Sequence, residues 1–302
     1  LTVPTLPLSG LGLDRVFNGQ LTQGSFAGTI TVRPSSSGDS IALQGVAREV
    51  LLEEVTRSLP GGPISGQVDL RIEEASLHGR ELQSLRFDGQ MRRLDLDSLA
   101  AHLGLPAIGG QLRLRLHDGM VRARSIDRLT ATGEWTGASL EALTQAILHR
   151  GGVRGQLRLS INALTIENGD IAHADIDLTA LPPPGGRGAI ERDLLVDVLQ
   201  RQLGLTLPER LLPAEVEFVQ IGAKLIIDRG RLRVLSQQGP AGPALITARV
   251  FGQLVPLLGG VDQRFELRPL VDQLRKPLDE LKTRVEQRLR PTPDPAATSP
   301  SR

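Results

Sequence analysis

Three stretches decide the fold: Ile64-Ser65-Gly66-Gln67-Val68-Asp69-Leu70-Arg71-Ile72, Ile108-Gly109-Gly110-Gln111-Leu112-Arg113-Leu114-Arg115-Leu116 and Val153-Arg154-Gly155-Gln156-Leu157-Arg158-Leu159-Ser160-Ile161. After its glycine each alternates polar and apolar residues, the period-two signature of a strand with one greasy face. The Gly-Gln-aliphatic tripeptide recurs at Gly19, Gly66, Gly110, Gly155 and Gly252, at steps of 47, 44, 45 and 97 residues. The last step is close to two of the others, so the chain reads as a tandem repeat of about 45 residues.

Behind each such strand lies a turn and a second amphipathic run. His117-Asp118-Gly119-Met120 carries an Asp-Gly hairpin signal before Val121-Arg122-Ala123-Arg124-Ser125-Ile126, and Glu167-Asn168-Gly169-Asp170 is its counterpart one unit on. Asp228-Arg229-Gly230 joins Ala223–Ile227 to Arg231–Leu235. A third strand is read at Leu129–Trp135 and Ala174–Thr179. Helical patterns close the units, at 47–59, 97–104, 139–149, 190–204 and 270–290. Asp97 is a candidate N-cap and Gly104 a candidate stop. Leu194, Leu195, Val198, Leu199 and Leu203 form one apolar stripe ended by Gly204.

The expected fold class is therefore β-rich α+β: antiparallel strand-strand(-strand)-helix units forming an extended, curled sheet with short helices packed on it. The repeat region covers 1–272, with units at 15–60, 61–105, 106–150, 151–204 and 205–272. An amphipathic helix is expected at 273–290, where Leu274, Leu278, Leu281, Val285 and Leu289 form a stripe and Pro277 marks its first turn or a bend. A disordered Pro-, Ser- and Thr-rich tail follows at 291–302. Leu181-Pro182-Pro183-Pro184-Gly185-Gly186-Arg187-Gly188 breaks the repeat as a loop, and Ser35-Ser36-Ser37-Gly38-Asp39 is a hairpin loop. A propeller blade repeats at a similar interval, but blades rarely end in a helix and often carry aromatic signatures that are lacking here.

Composition narrows the function classes. Lys plus Arg is 35 against 34 for Asp plus Glu, a balance that argues against a nucleic-acid partner. Cysteine is absent, which removes disulfides, thiolate metal sites and cysteine nucleophiles. Six Phe, one Trp and no Tyr leave little for an aromatic ligand platform, so the interior is aliphatic. His78, His102, His117, His149 and His173 show no metal-ligand spacing. Gly24-Ser25-Phe26-Ala27-Gly28 lies one residue off a nucleophile elbow and in a strand-like run. Glu53-Glu54 and Glu73-Glu74 read as solvated faces, and Asp175 and Asp177 as the polar side of one strand. The expectation is a protein with no catalytic residue, metal or cofactor. The chain opens at Leu1, read as a cut inside a longer protein whose anchor or export signal precedes it.

A continuous apolar face must be covered by a second sheet, by helices or by acyl chains. The strand pairs opened by Gly-Gln-Leu, the Asn-Gly and Arg-Gly turns and the short helices resemble the AsmA-like proteins of the bacterial envelope. The nearest portion is Val216–Leu267, with Val219–Asp228, a glycine turn, Arg231–Val234, and Ile246–Leu254 closing on Gly252-Gln253-Leu254. The resemblance covers about residues 15–272, and its motifs are degenerate. It implies a long curled sheet with a hydrophobic groove, a periplasmic location, an inner-membrane anchor ahead of the sheet and a role in outer-membrane lipid homeostasis or phospholipid transport. It carries no catalytic residues. The chain departs from it in having no anchor segment and more regular helices. Leu112, Leu114, Leu116, Leu157, Leu159 and Ile161 are the residues expected to face a phospholipid or other acyl lipid, and an envelope protein is a possible further partner. The alternative is a structural or interaction scaffold with no lipid role. Its helices would cover the sheet, with Leu140, Leu143 and Ile147 over Leu112, Leu114 and Leu116.

Overall fold

The computed structural model describes residues 2–11, 22–34, 40–57, 63–78, 81–102, 107–122, 125–148, 150–197, 200, 212–250 and 252–266. The expected 270–290 helix, the 291–302 tail, the 35–39 loop, Gly19-Gln20-Leu21, Gly104, His149, and Val198, Leu199, Leu203 and Gly204 lie outside these. Seventeen strands among the described residues form one antiparallel sheet that does not close on itself.

The first strands are β1 (Thr2–Pro7), β2 (Ser25–Arg33), β3 (Ser40–Leu51), β4 (Gln67–His78), β5 (Glu81–Asp95), β6 (Gln111–Arg122) and β7 (Ser125–Ser139). Then come β8 (Val153–Arg154), β9 (Gln156–Glu167), β10 (Asp170–Leu181), β11 (Gly188–Glu191) and β12 (Glu215–Asp228). The last are β13 (Arg231–Gly239), β14 (Gly242–Ala244), β15 (Ile246–Val250), β16 (Gln253–Pro256) and β17 (Asp262–Glu266). Each long strand pairs with the next, giving the meander β1-β2-β3-β4-β5-β6-β7-β9-β10-β12-β13-β17. The start of β12 also pairs with β11 on one side and β15 on the other.

Among the described residues four helices interrupt the meander: α1 (Leu52–Thr56), α2 (Leu96–His102), α3 (Leu140–Leu148) and α4 (Arg192–Asp197). A 3-10 turn at Leu8–Leu11 occupies the equivalent place after β1. Leu8, Leu52, Leu96 and Leu140 stand 44 residues apart, each the first residue of its helical turn. Each donates its backbone N–H to the carbonyl of the glycine before the next long strand: Gly24 at 3.0 Å, Gly66 at 2.9 Å, Gly110 at 3.4 Å and Gly155 at 3.1 Å. Arg192 makes the same bond to Ala214 at 3.0 Å. Thus Gly66, Gly110 and Gly155 are equivalent, as expected, and the bond satisfies one of the orphan donors of each helix. Close approach also requires glycine there, because a Cβ on Gly155 would lie 2.7 Å from the Phe218 ring and 2.9 Å from Leu140.

Several local expectations are corrected. The repeating unit holds two long strands, not three. Leu129–Trp135 is part of β7 and Ala174–Thr179 part of β10, each the second strand of its pair. Asp118-Gly119 is no hairpin: β6 runs through it with a register shift between His117 and Met120, and Asp118 takes φ 51°. A β-bulge uses the same left-handed residue that an Asp-Gly turn needs, so the local sequence does not separate the two. Helix α1 begins only at Leu52 because β3 continues to Leu51. Asp95, not Asp97, receives the helix-start amide, from Asp97 N–H at 3.1 Å, while the Asp97 carboxylate accepts from Gly109 N–H at 2.6 Å.

The most completely buried region lies where β8, β11, β12, β15 and α4 meet. Val153, Ile190, Leu194, Val216, Phe218 and Ile246 pack there, with Val216 and Phe218 at 0% exposure.

Candidate functional site

Cross-strand partners in an antiparallel sheet share a face. Following the register from edge to edge gives one row: Leu6, Phe26, Ala47, Leu70, Gly89, Leu116, Ala131, Leu164, Ala174, Ile227, Leu232 and Phe265. It crosses twelve strands without a polar side chain, a distance of about 53 Å at 4.8 Å per strand. A second row runs through Val50, Val68, Met91, Leu114, Gly133, Ile161, Ile176, Leu225 and Val234 before meeting Gln263. A third joins Leu94, Leu112, Trp135, Leu159, Leu178 and Ala223.

All six nominated residues lie on this face. The strand β7 brings the β6 and β9 sets together, with Leu112 opposite Trp135 and Leu159 beyond it, and Leu114 opposite Gly133 and Ile161 beyond it. Leu116 and Leu157 are buried, while Leu112, Leu114, Leu159 and Ile161 are half-buried. On the other side of β9, Gln156 and Arg158 are exposed, and Ser160, expected outside, is half-buried. Leu157 belongs to the framework: it packs with Ala138 and Ala180 beneath Leu140 and Leu143 of α3.

The described helices sit at the ends of the strands. Nine-residue α3 is ~14 Å long, whereas the twelve-residue β6 extends ~40 Å, so a helix of this length covers one strand end and leaves the middle. Leu140 and Leu143 accordingly meet the Ala138–Leu157–Ala180 cluster, in which Leu112, Leu114 and Leu116 have no part; the Ile147 side chain lies outside the described ones.

The opposite face is polar, and it holds two open depressions of about 430 and 490 Å³ over β3–β7. Farther along, Asn162 Nδ2 donates to Asp175 Oδ1 at 3.0 Å and to Asp177 Oδ2 at 2.7 Å, and Gln237 Nε2 donates to Asp177 Oδ1 at 3.0 Å. Lys224 pairs with Asp175 at 2.9 Å. The Asn162 hydrogen bond, with help from Lys224, holds the Asp175 carboxyl below its ordinary value, and Asp175 raises Lys224. These side chains span β9, β10, β12 and β13 and lock their register. Among the described residues no group of His, Asp and Glu could hold a metal ion.

One pair of acids departs from the sequence reading. Glu54 is not solvated: it is buried on α1, where its carboxylate accepts from Thr22 N–H at 2.8 Å, from Gln23 N–H at 3.3 Å and from the Thr22 hydroxyl. Burial alone would raise this carboxyl, but those bonds outweigh it and hold it below the ordinary range. Adjacent glutamates on so short a helix gave no sign of it; only the partner loop, thirty-odd residues away, reveals the contact.

No family model, curated protein or solved structure matches the chain.

Proposed function

We propose that the protein binds acyl lipid along the apolar face of its sheet, as a non-enzymatic, AsmA-like component of a bacterial envelope, acting in the periplasm. The twelve-residue row from Leu6 to Phe265 carries this reading. A face that long and free of charge is unfavourable in water, and acyl chains match its chemistry without asking for a polar partner. The scarcity of aromatic residues agrees with chains as the ligand in preference to rings or sugars. The scaffold alternative needs helices over all of the rows. Leu52 and Val55 of α1 pack at the Phe26, Ala47, Val50 and Val68 end, and Leu194 and Leu195 of α4 pack near Leu225 and Val234. Leu112, Leu114 and Leu116, by contrast, belong to none of the helix-covered clusters.

The test is lipid co-purification, read by extraction and mass spectrometry of the full chain. Leu114→Asp places an unpaired charge in the second row and is expected to abolish the lipid signal. Because that change can also unfold the sheet, Leu114→Thr with Ile161→Thr keeps strand propensity and is expected to reduce bound lipid with an unaltered circular-dichroism spectrum. Thr136→Asp, on the opposite, exposed side of β7, should carry as much lipid as the parent. Absence of lipid from the parent protein, or equal loss in all three variants, would sink the proposal.

A further inference from the structure

The polar face over β3–β7 carries a feature that the apolar rows do not explain. Arg48, Arg71, Arg92, Arg93, Arg113 and Arg115 line the two depressions, which share Gln90, Arg92 and Arg115 and so form one trough. All six are exposed. Arg92 pairs with Asp69 at 2.8 Å, whereas the other five have no carboxylate partner among the described residues. The trough's own acids are Glu49, Asp69, Asp88 and Glu134. Asp69 is taken by Arg92, by the Gln90 amide at 3.0 Å and by Glu49 N–H at 2.7 Å. Asp88 accepts from Asp118 N–H at 3.0 Å, and Glu134 pairs with Arg158 outside the trough. Asp88 keeps its charge opposite Arg71 and Glu134 stands opposite Arg113 across the strands, so the trough's six arginines outnumber its four acids by two.

The clustering is confined to two units: Arg48 and Arg92, like Arg71 and Arg115, hold repeat positions 44 residues apart, and the run stops there. One unit later the places of Arg92, Arg93, Arg113 and Arg115 hold Thr136, Gly137, Arg158 and Ser160, and Arg158 is neutralised by Glu134. The bulge in β5 between Met91 and Leu94 sets Arg92 and Arg93 side by side in the trough, with Arg93 in the left-handed region at φ 53°. Like charges on neighbouring strands repel unless an anion sits among them. Guanidinium forks match phosphate oxygens bidentately. Six guanidiniums spread over β3–β6 offer more donor forks than the oxygens of a single phosphate can take bidentately.

We propose that this trough binds an anion carrying two or more phosphate groups, either soluble or as a phosphorylated headgroup. The site is on the face opposite the apolar rows and does not depend on the lipid-binding reading. Inorganic triphosphate titrated calorimetrically into the full chain at low salt is the probe. Arg71→Gln, Arg113→Gln and Arg115→Gln together are expected to weaken binding at least about tenfold. Removing as many charges elsewhere, by Arg187→Gln, Arg229→Gln and Arg231→Gln, should leave it within about twofold. Exposed strand and turn positions tolerate glutamine, and circular dichroism verifies that both variants fold. Flotation with phosphatidylcholine vesicles doped with a phosphatidylinositol bisphosphate separates the sources: capture competed by triphosphate marks a headgroup, and triphosphate binding without capture marks a soluble anion. Either outcome supports the site. No triphosphate binding by the parent, or equal weakening in the two triple variants, overturns it.

Discussion

Gly133 and Gly137 lie four residues apart in β7, and the same substitution has a different cost at each. A Cβ on Gly133 would fall 2.1 Å from the Arg113 carbonyl oxygen and 2.8 Å from Leu114 Cδ2, and the backbone oxygen cannot move without parting β6 from β7. A Cβ on Gly137 would meet only Gly110 Cα, at 3.7 Å, so its penalty is the left-handed φ of 79°. Gly137→Ala is expected to cost about 1 kcal/mol and Gly133→Ala at least about 2 kcal/mol, both read from urea unfolding. Glu54 supplies a pH signature. Its folded pKa is depressed, so its contribution is present above the unfolded value and is lost as pH falls through the folded one. Glu54→Gln should cost about 1–3 kcal/mol near neutrality, and the difference in melting temperature from the parent should shrink as the medium is acidified below the ordinary glutamate range. A constant difference across pH would contradict the assignment.

The elements show why a degenerate-looking repeat builds one sheet. Each unit leaves the sheet by a bulge, makes a helical turn, and returns on a glycine whose carbonyl holds the helix start. Glu49, Arg93 and Gly137 occupy the same bulge position 44 residues apart, with φ of 55°, 53° and 79°. The bulges bend each strand where it must turn into its helix. At the other end the hairpins β9–β10 and β12–β13 close with Asn168-Gly169 and Arg229-Gly230, both residues of each pair at positive φ. Asn adopts that conformation at lower cost than Arg. Arg229→Asn should therefore stabilise by about 0.5 kcal/mol, measured as a rise in urea midpoint, with no change in slope. Helix α3 acts through Leu157 at its base: Leu157→Ala should cost about 2–4 kcal/mol, since this leucine is 5% exposed among Ala138 and Ala180.

At the scale of the whole sheet, the two faces divide their chemistry. One carries uninterrupted aliphatic rows, and the other carries charges that sort into an arginine trough over β3–β7 and a carboxylate, amide and lysine ladder over β9–β13. An apolar face of this extent should enhance the fluorescence of a hydrophobic dye in lipid-stripped protein. Added fatty acid should reverse that enhancement. A lipid-stripped, folded protein that leaves the dye dark would show the rows to be covered and would count against acyl binding.

The period-two alternation after Gly66, Gly110 and Gly155 was enough to establish strands, their apolar faces and a tandem antiparallel sheet, because a strand's burial pattern is written locally at every second residue. The turns at Asn168-Gly169 and Arg229-Gly230 were legible for the same reason: their backbone needs only the residues within them. Strand length was not, since Asp118-Gly119 spells a hairpin yet sits in a bulge, and only pairing with β5 and β7 carries β6 through it. The six lipid-facing candidates could be placed on a face, but their alignment through Gly133 and Trp135 is a matter of register across separate strands. Glu54, the helix-start bonds at 44-residue steps and the arginine trough join residues distant in sequence, and register between distant strands is set by the packed sheet as a whole.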